Sequence, residues 1–259
     1  MARALSSLAF LYNTTQMFLL GLGRDGAATV SKVLKDELNN NALLEDLTLQ
    51  ASQPGMVDDI KVGGQSCMCS DQSADLSMFH PEAYFEGARS FGFPIHKSVP
   101  ISVFVTLAAN GTLVGSLGIQ PIPEEVAEHG IPDVNGLGDA LDVVFGMGQV
   151  VVNAGATNVL SAKALRRCTL GALVLSATGG GGTEGLDIEI TDIQVNKKSL
   201  LGGSASFPLG CLTNLATDLD GRVLAQEVDV NHQIQIFLKN NNAANITVRG
   251  GIWCMPPRE

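Results

Sequence analysis

Gly21-Leu22-Gly23-Arg24-Asp25-Gly26 fits the spacing G-x-G-x-x-G. In a dinucleotide-binding fold such a loop follows a strand, opens a helix and seats a pyrophosphate at the helix N-terminus. Here it follows the apolar Met17-Phe18-Leu19-Leu20 and precedes a stretch with helical spacing. A dinucleotide fold also needs alternating strands and helices downstream, and this chain offers strands. We read the segment as a glycine-rich turn. The histidines are His80, His96, His129 and His232, with no two near each other in sequence. The His-x-His pair and facing carboxylate of a tandem metalloenzyme barrel are therefore missing. No G-x-S-x-G nucleophile elbow is present. Asp218-Leu219-Asp220-Gly221 begins like a calcium loop but lacks the closing Glu, and reads as an acidic surface turn. The sequons at Asn13, Asn110 and Asn245 would matter only in a secreted eukaryotic protein.

Five cysteines cannot all pair within one chain, and we read them as structural thiols of a reducing compartment. Cys67 and Cys69 are two apart, so on a strand they would share a face. A metal site would need two further ligands, and no second Cys pair is visible. The sequence thus assigns no catalytic residue, no cofactor and no metal ligand, and the expected class is not an enzyme.

Composition narrows the field further. Apolar residues make up 45% and charged residues 16%, which excludes a disordered chain and leaves material for a core. The net charge is −10, so phosphate neutralisation by clustered Lys and Arg is not on offer and no nucleic-acid partner is expected. One Trp and two Tyr are few for a carbohydrate-binding surface. Near the N-terminus, Ser6, Ser7 and Asn13-Thr14-Thr15-Gln16 interrupt the apolar run, so neither a secretory signal nor a span of about 20 apolar residues is expected. Leu5, Leu8, Phe10 and Leu11 could lie on one helical face, as an arm against a neighbour or a membrane surface.

The elements that must position these residues emerge when the sequence is compared with itself. Asp59-Ile60-Lys61-Val62-Gly63-Gly64-Gln65-Ser66 recurs 133 residues on as Asp192-Ile193-Gln194-Val195-Asn196-Lys197-Lys198-Ser199. Ile101, Phe104, Gly118 and Ile119 recur at the same offset as Ile234, Phe237, Gly251 and Ile252. Leu47-Thr48-Leu49 matches Leu173-Val174-Leu175 at an offset of 126, and Gly21-Leu22-Gly23 matches Gly146-Met147-Gly148 at 125. Seven extra residues in the second copy, placed at Gly179–Gly182, would account for the change to 133. A period this long is a duplicated domain. The expected organisation is an arm at 1–15, a first domain at 16–121, a proline-marked linker at 122–138, a second domain at 139–255 and a tail at 256–259.

Within each copy the pattern is β. Ile101, Val103 and Val105 alternate with polar or outward residues, as do Ile234, Ile236 and Leu238, and Leu186, Ile188 and Ile190. Asn110-Gly111 reads as a hairpin turn, with Asn240-Asn241-Asn242 as its counterpart. Val30–Leu38 and residues 81–89 have spacings that predict short helices. The fold class is all-β, as two tandem β-sandwiches of the jelly-roll kind.

Tandem jelly rolls with repeated D-I-x-V-x-x-x-S and I-x-[VI]-F-[VL] strands resemble the double jelly-roll major capsid proteins of tailless icosahedral, membrane-containing viruses, most closely the small corticovirus-like bacteriophage forms. The resemblance spans about residues 16–255. It implies pseudo-hexameric homotrimers that tile an icosahedral lattice over an internal membrane, with strands upright to the capsid surface. It further implies minor capsid proteins as partners, a virion location after assembly in the host cytoplasm, and an inward-pointing arm carrying Leu5, Leu8, Phe10 and Leu11. A two-domain β-sandwich adhesion or ligand-binding protein is the alternative.

Overall fold

The computed structural model describes residues 18–38, 41–80, 93–121, 144–202, 206–213 and 223–255. The first copy comprises β1 (Phe18–Asp25), β2 (Ser31–Glu37), β3 (Ala42–Ala51), β4 (Gly55–Val62), β5 (Gln65–Ser66), β6 (Ala74–Asp75), β7 (Phe93–Ile95), β8 (Pro100–Leu107) and β9 (Leu113–Pro121). The second comprises β10 (Val144–Val152), β11 (Thr157–Lys163), β12 (Cys168–Thr178), β13 (Ile188–Val195), β14 (Lys198–Ser199), β15 (Phe207–Pro208), β16 (Val223–Val228), β17 (Gln233–Asn240) and β18 (Ile246–Met255). A four-residue helix, α1 (Glu184–Asp187), precedes β13.

In the first copy the antiparallel orders are β1-β9-β3-β7 and β2-β8-β4-β5; in the second they are β10-β18-β12-β16 and β11-β17-β13-β14. The chain alternates between the two sheets at nearly every connection, which is jelly-roll topology. Both copies are jelly rolls, and the strand order repeats element for element. Alternation does what the pattern predicts: Ile101, Val103 and Val105 are buried, as are Ile234, Ile236 and Leu238.

The residues divide into two compact units. The first holds β1–β5 and β7–β9; the second holds residues 68–78 together with the described residues from Val144 onward. The second core is built from Phe145, Leu160, Leu170, Leu173, Leu175, Ile190, Ile236, Leu238 and Ile252 among others, all shielded from solvent.

Several local expectations are corrected. Val30–Leu38 contains strand β2, not helical turns: Lys32 and Leu34 face inward while Val33 is 46% exposed, because β8 offers a full ladder from Ser31 to Glu37. Leu186 belongs to α1 and is exposed, so the alternation begins at Ile188. Asn110-Gly111 joins β8 to β9 in different sheets, so it is a corner and not a hairpin. Its counterpart is built on Asn240, fully buried, whose Nδ2 donates to the carbonyls of Val152 (2.9 Å) and Ala244 (2.8 Å). Residues 81–89 lie outside the described residues. The seven extra residues are also divided. Ala42 pairs Pro121, whose repeat position Cys254 pairs Leu170, so part of the excess falls before β12 and only the rest in the Gly179–Gly182 loop. Likewise Leu47 faces Leu117, whose repeat Gly250 faces Leu175 and not Leu173.

The repeated D-I-x-V-x-x-x-S is a stitched hairpin. Ser66 Oγ donates to Asp59 Oδ1 at 2.5 Å, and Ser199 Oγ donates to Asp192 Oδ1 at 2.6 Å. Each Asp follows a register shift, between Val57 and Asp59 and between Ile190 and Asp192, which turns its carboxylate toward the short return strand. The turns between have positive φ at both central residues: Gly63 (59°) and Gly64 (86°), then Asn196 (48°) and Lys197 (69°). Such two-residue turns favour Asn-Gly, and a left-handed L-residue costs roughly 1–2 kcal/mol. Lys197→Gly should therefore stabilise the protein by about 0.5–1 kcal/mol after the greater unfolded-state entropy of glycine is counted, read by urea denaturation. Donation from Ser199, with further bonds from Gln194 and the Ile193 amide, holds the Asp192 carboxyl below its usual range. Its stabilising share is present above the unfolded carboxylate pKa and fades as pH falls through the lower folded value. Ser199→Ala should cost about 1 kcal/mol at neutral pH and less in acid.

Candidate functional site

The G-x-G segments are neither turns nor nucleotide loops. In β1 the register shifts between Gly21 and Gly23, and in β10 it shifts between Gly146 and Gly148. Both are β-bulges that bury the middle residue, Leu22 or Met147, with positive φ at the second glycine, 107° at Gly23 and 74° at Gly148. The Asp25 carboxylate of the first motif closes the following turn, accepting from the amides of Ala27 (3.0 Å) and Val33 (3.1 Å). Those amides, and Lys32 at 3.5 Å, hold it below the usual carboxylate range.

In the second unit the glycines have a second use. Residues 68–73 run across the ends of β10 and β11. The amide of Cys69 donates to Val144 O (2.9 Å), Asp71 N to Lys163 O (3.0 Å), Leu165 N to Cys69 O (2.9 Å) and Gly148 N to Ser73 O (2.8 Å). Asp71 Oδ1 accepts from Lys163 N at 2.8 Å. The segment passes so close that a Cβ on Gly146 would stand 2.0 Å from Gln72 O and 2.5 Å from Ser73 C. A Cβ on Gly251, in β18 opposite Gly146, would stand 2.2 Å from Met78 Sδ. Only glycine permits this approach.

The same segment assembles a thiol cluster. Among the described residues, the one group of three or more His, Cys, Asp or Glu side chains close enough to share an ion is Cys69, Cys168 and Cys254, whose sulfurs lie within 4.8 Å of one another. Cys69 arrives on the crossing segment, Cys168 opens β12, and Cys254 sits near the end of β18, where it pairs with Leu170. Cys168 and Leu170 share a face, so Cys168 and Cys254 are diagonal neighbours. Cys69 Sγ lies 3.1 Å from Cys254 Sγ and donates to Val144 O at 3.2 Å. Cys69 and Cys168 are buried and Cys254 is half-buried. The thiols of Cys254 and Cys69 donate to Cys168, pushing it down to about 4, so its thiolate forms first. The Cys254 thiol moves the other way, through its bond to Cys168, its bond to Cys69 and its burial.

Sequence reasoning missed this cluster. It paired Cys67 with Cys69, whereas the two part: Cys67 N bonds Ile60 O in the first unit and Cys69 joins the second. None of the five cysteines is in a disulfide. His80, His96 and His232 are not brought together, and His232 serves locally, its Nδ1 accepting from Asp229 N at 3.1 Å. His129, Asp218–Gly221 and the arm residues Leu5, Leu8, Phe10 and Leu11 lie outside the described residues. Among the described residues no helix is long and apolar enough to cross a membrane.

No family model and no curated protein matches this chain. Among solved structures it is similar to the major capsid protein P2 from bacteriophage PM2, at 11% identity and a TM-score of 0.42, covering 93% of this chain and 98% of that one. It is similar to STIV MCP at 10% identity and a TM-score of 0.42, covering 93% and 97%. It is also similar to PNGF-II at 9% identity and a TM-score of 0.37, covering 99% of this chain and 68% of that one.

The crossing makes a sharp expectation. Gly146→Ala should destabilise by about 3 kcal/mol, because backbone and not a flexible side chain must give way. Gly202→Ala, with nothing among the described residues within 4 Å of its Cβ, should stay within about 0.5 kcal/mol. Hydrogen exchange should rise at the Cys69 and Asp71 amides in the first variant alone.

Proposed function

We propose that the chain is a structural protein, the major capsid protein of a membrane-containing icosahedral virus, whose homotrimers present six jelly rolls as a pseudo-hexagonal tile. In this reading 16–121 and 139–255 are the two jelly rolls, 122–138 the linker and 256–259 a tail. The arm at 1–15 meets a neighbour or the inner membrane through Leu5, Leu8, Phe10 and Leu11. Minor capsid proteins are further partners of the lattice, and no enzymatic step is part of the role.

The observation that carries the reading is the duplication itself: two jelly rolls in one chain whose strand orders, β1-β9-β3-β7 with β2-β8-β4-β5 and β10-β18-β12-β16 with β11-β17-β13-β14, repeat element for element. Two jelly rolls per chain let the first of one copy meet the second of the next, a heterologous contact, and heterologous contacts close into rings when the rotation allows. Rings of duplicated chains are suited to tiling because each chain offers two alike edges.

Light scattering on the purified protein should give a mass near three times 27.1 kDa, or larger assemblies. A monomer at all concentrations would overturn the reading. Deletion of residues 2–14 should spare folding and impair particle formation.

A further inference from the structure

We propose that Cys69, Cys168 and Cys254 form a three-thiolate site for one soft, thiophilic cation of the Zn²⁺ or Cu⁺ class. The inference stands apart from the capsid reading. Thiolate–zinc bonds of about 2.3 Å put ligand sulfurs roughly 3.8 Å apart. The three sulfurs here fall within 4.8 Å of one another, with Cys69 and Cys254 at 3.1 Å, so shifts of well under an ångström bring them to that spacing. The set is all sulfur, and sulfur selects soft ions over Mg²⁺ or Ca²⁺. Cys69 and Cys168 belong to the apolar core of the second unit and Cys254 packs against it. An ion there would sit in a dry shell, with Cys254 its least buried ligand.

A disulfide is the competing use of such thiols. It needs two sulfurs at about 2.05 Å, leaves the third idle and consumes an oxidant. Three sulfurs from three separate elements converging on one point are what a cation requires. Bound there, the ion would tie the crossing segment to β12 and to β18.

The test uses the full chain, reduced and freed of metal by chelator, then dialysed against Zn²⁺ or Cu⁺, with Cd²⁺ as the optical probe. One ion per chain is expected, with a thiolate-to-cadmium absorption band. Cys168→Ser and Cys254→Ser should each weaken binding by on the order of 100-fold, at least as much as loss of an outer-shell partner costs. Cys67→Ser and Cys211→Ser should bind like the parent. The tighter of Zn²⁺ and Cu⁺ names the ion. Should a cluster variant fail to fold by circular dichroism, X-ray absorption on the loaded parent decides, with three sulfur ligands expected. Sub-stoichiometric binding, fewer than three sulfurs, loss of binding in Cys211→Ser, or a Cys69–Cys254 disulfide in freshly isolated reduced-lysate protein would each overturn the proposal.

Discussion

The carbonyl of Gln72 occupies the space that a Cβ on Gly146 would need, and much of the second unit's organisation depends on that one close approach. It fixes why β10 carries a glycine on each side of Met147. It sets the path of residues 68–73, whose amides and carbonyls then find partners on Val144, Lys163, Leu165 and Gly148. It brings Cys69 to Cys254. A backbone crossing of this kind is intolerant in a way that side-chain packing is not. A side chain can change rotamer, but a peptide carbonyl held by its neighbours' hydrogen bonds cannot step aside cheaply.

The duplicated sandwich was legible because the residues that specify it obey short-range rules. Ile101, Val103 and Val105 alternate, and so do their repeats, since each strand has one face in a core. Asp59 with Ser66, and Asp192 with Ser199, recur because each pair is a single local stitch across a two-residue turn. The failures are equally specific. Val30, Val33, Leu34 and Leu38 have helical spacing, yet β8 supplies a ladder partner for every residue of β2, and tertiary pairing outweighs the period. Asn110-Gly111 has hairpin chemistry, but a local turn signal says nothing of whether the chain stays in one sheet or passes to the other. The G-x-G match at an offset of 125 joined two true bulges that occupy different rungs of their ladders, since Leu20 and not Gly23 shares its partner's repeat position with Gly148.

The thiol cluster was not legible for a different reason. Its members stand at positions 69, 168 and 254, one on a crossing segment and two on neighbouring strands. Their convergence depends on β12 and β18 being paired strands and on 68–73 leaving the first repeat's unit for the second. Spacing rules for metal sites describe ligands on one local motif, so Cys67 and Cys69 drew the reading although only one of them belongs. The available signal was weaker: Cys69 and Cys254 lie in segments adjoining repeated strands, but neither has a cysteine at the repeat position, where Gly202 and Pro121 stand. A residue that breaks the repeat is free of the duplicated fold's demands and marks what one copy alone must do.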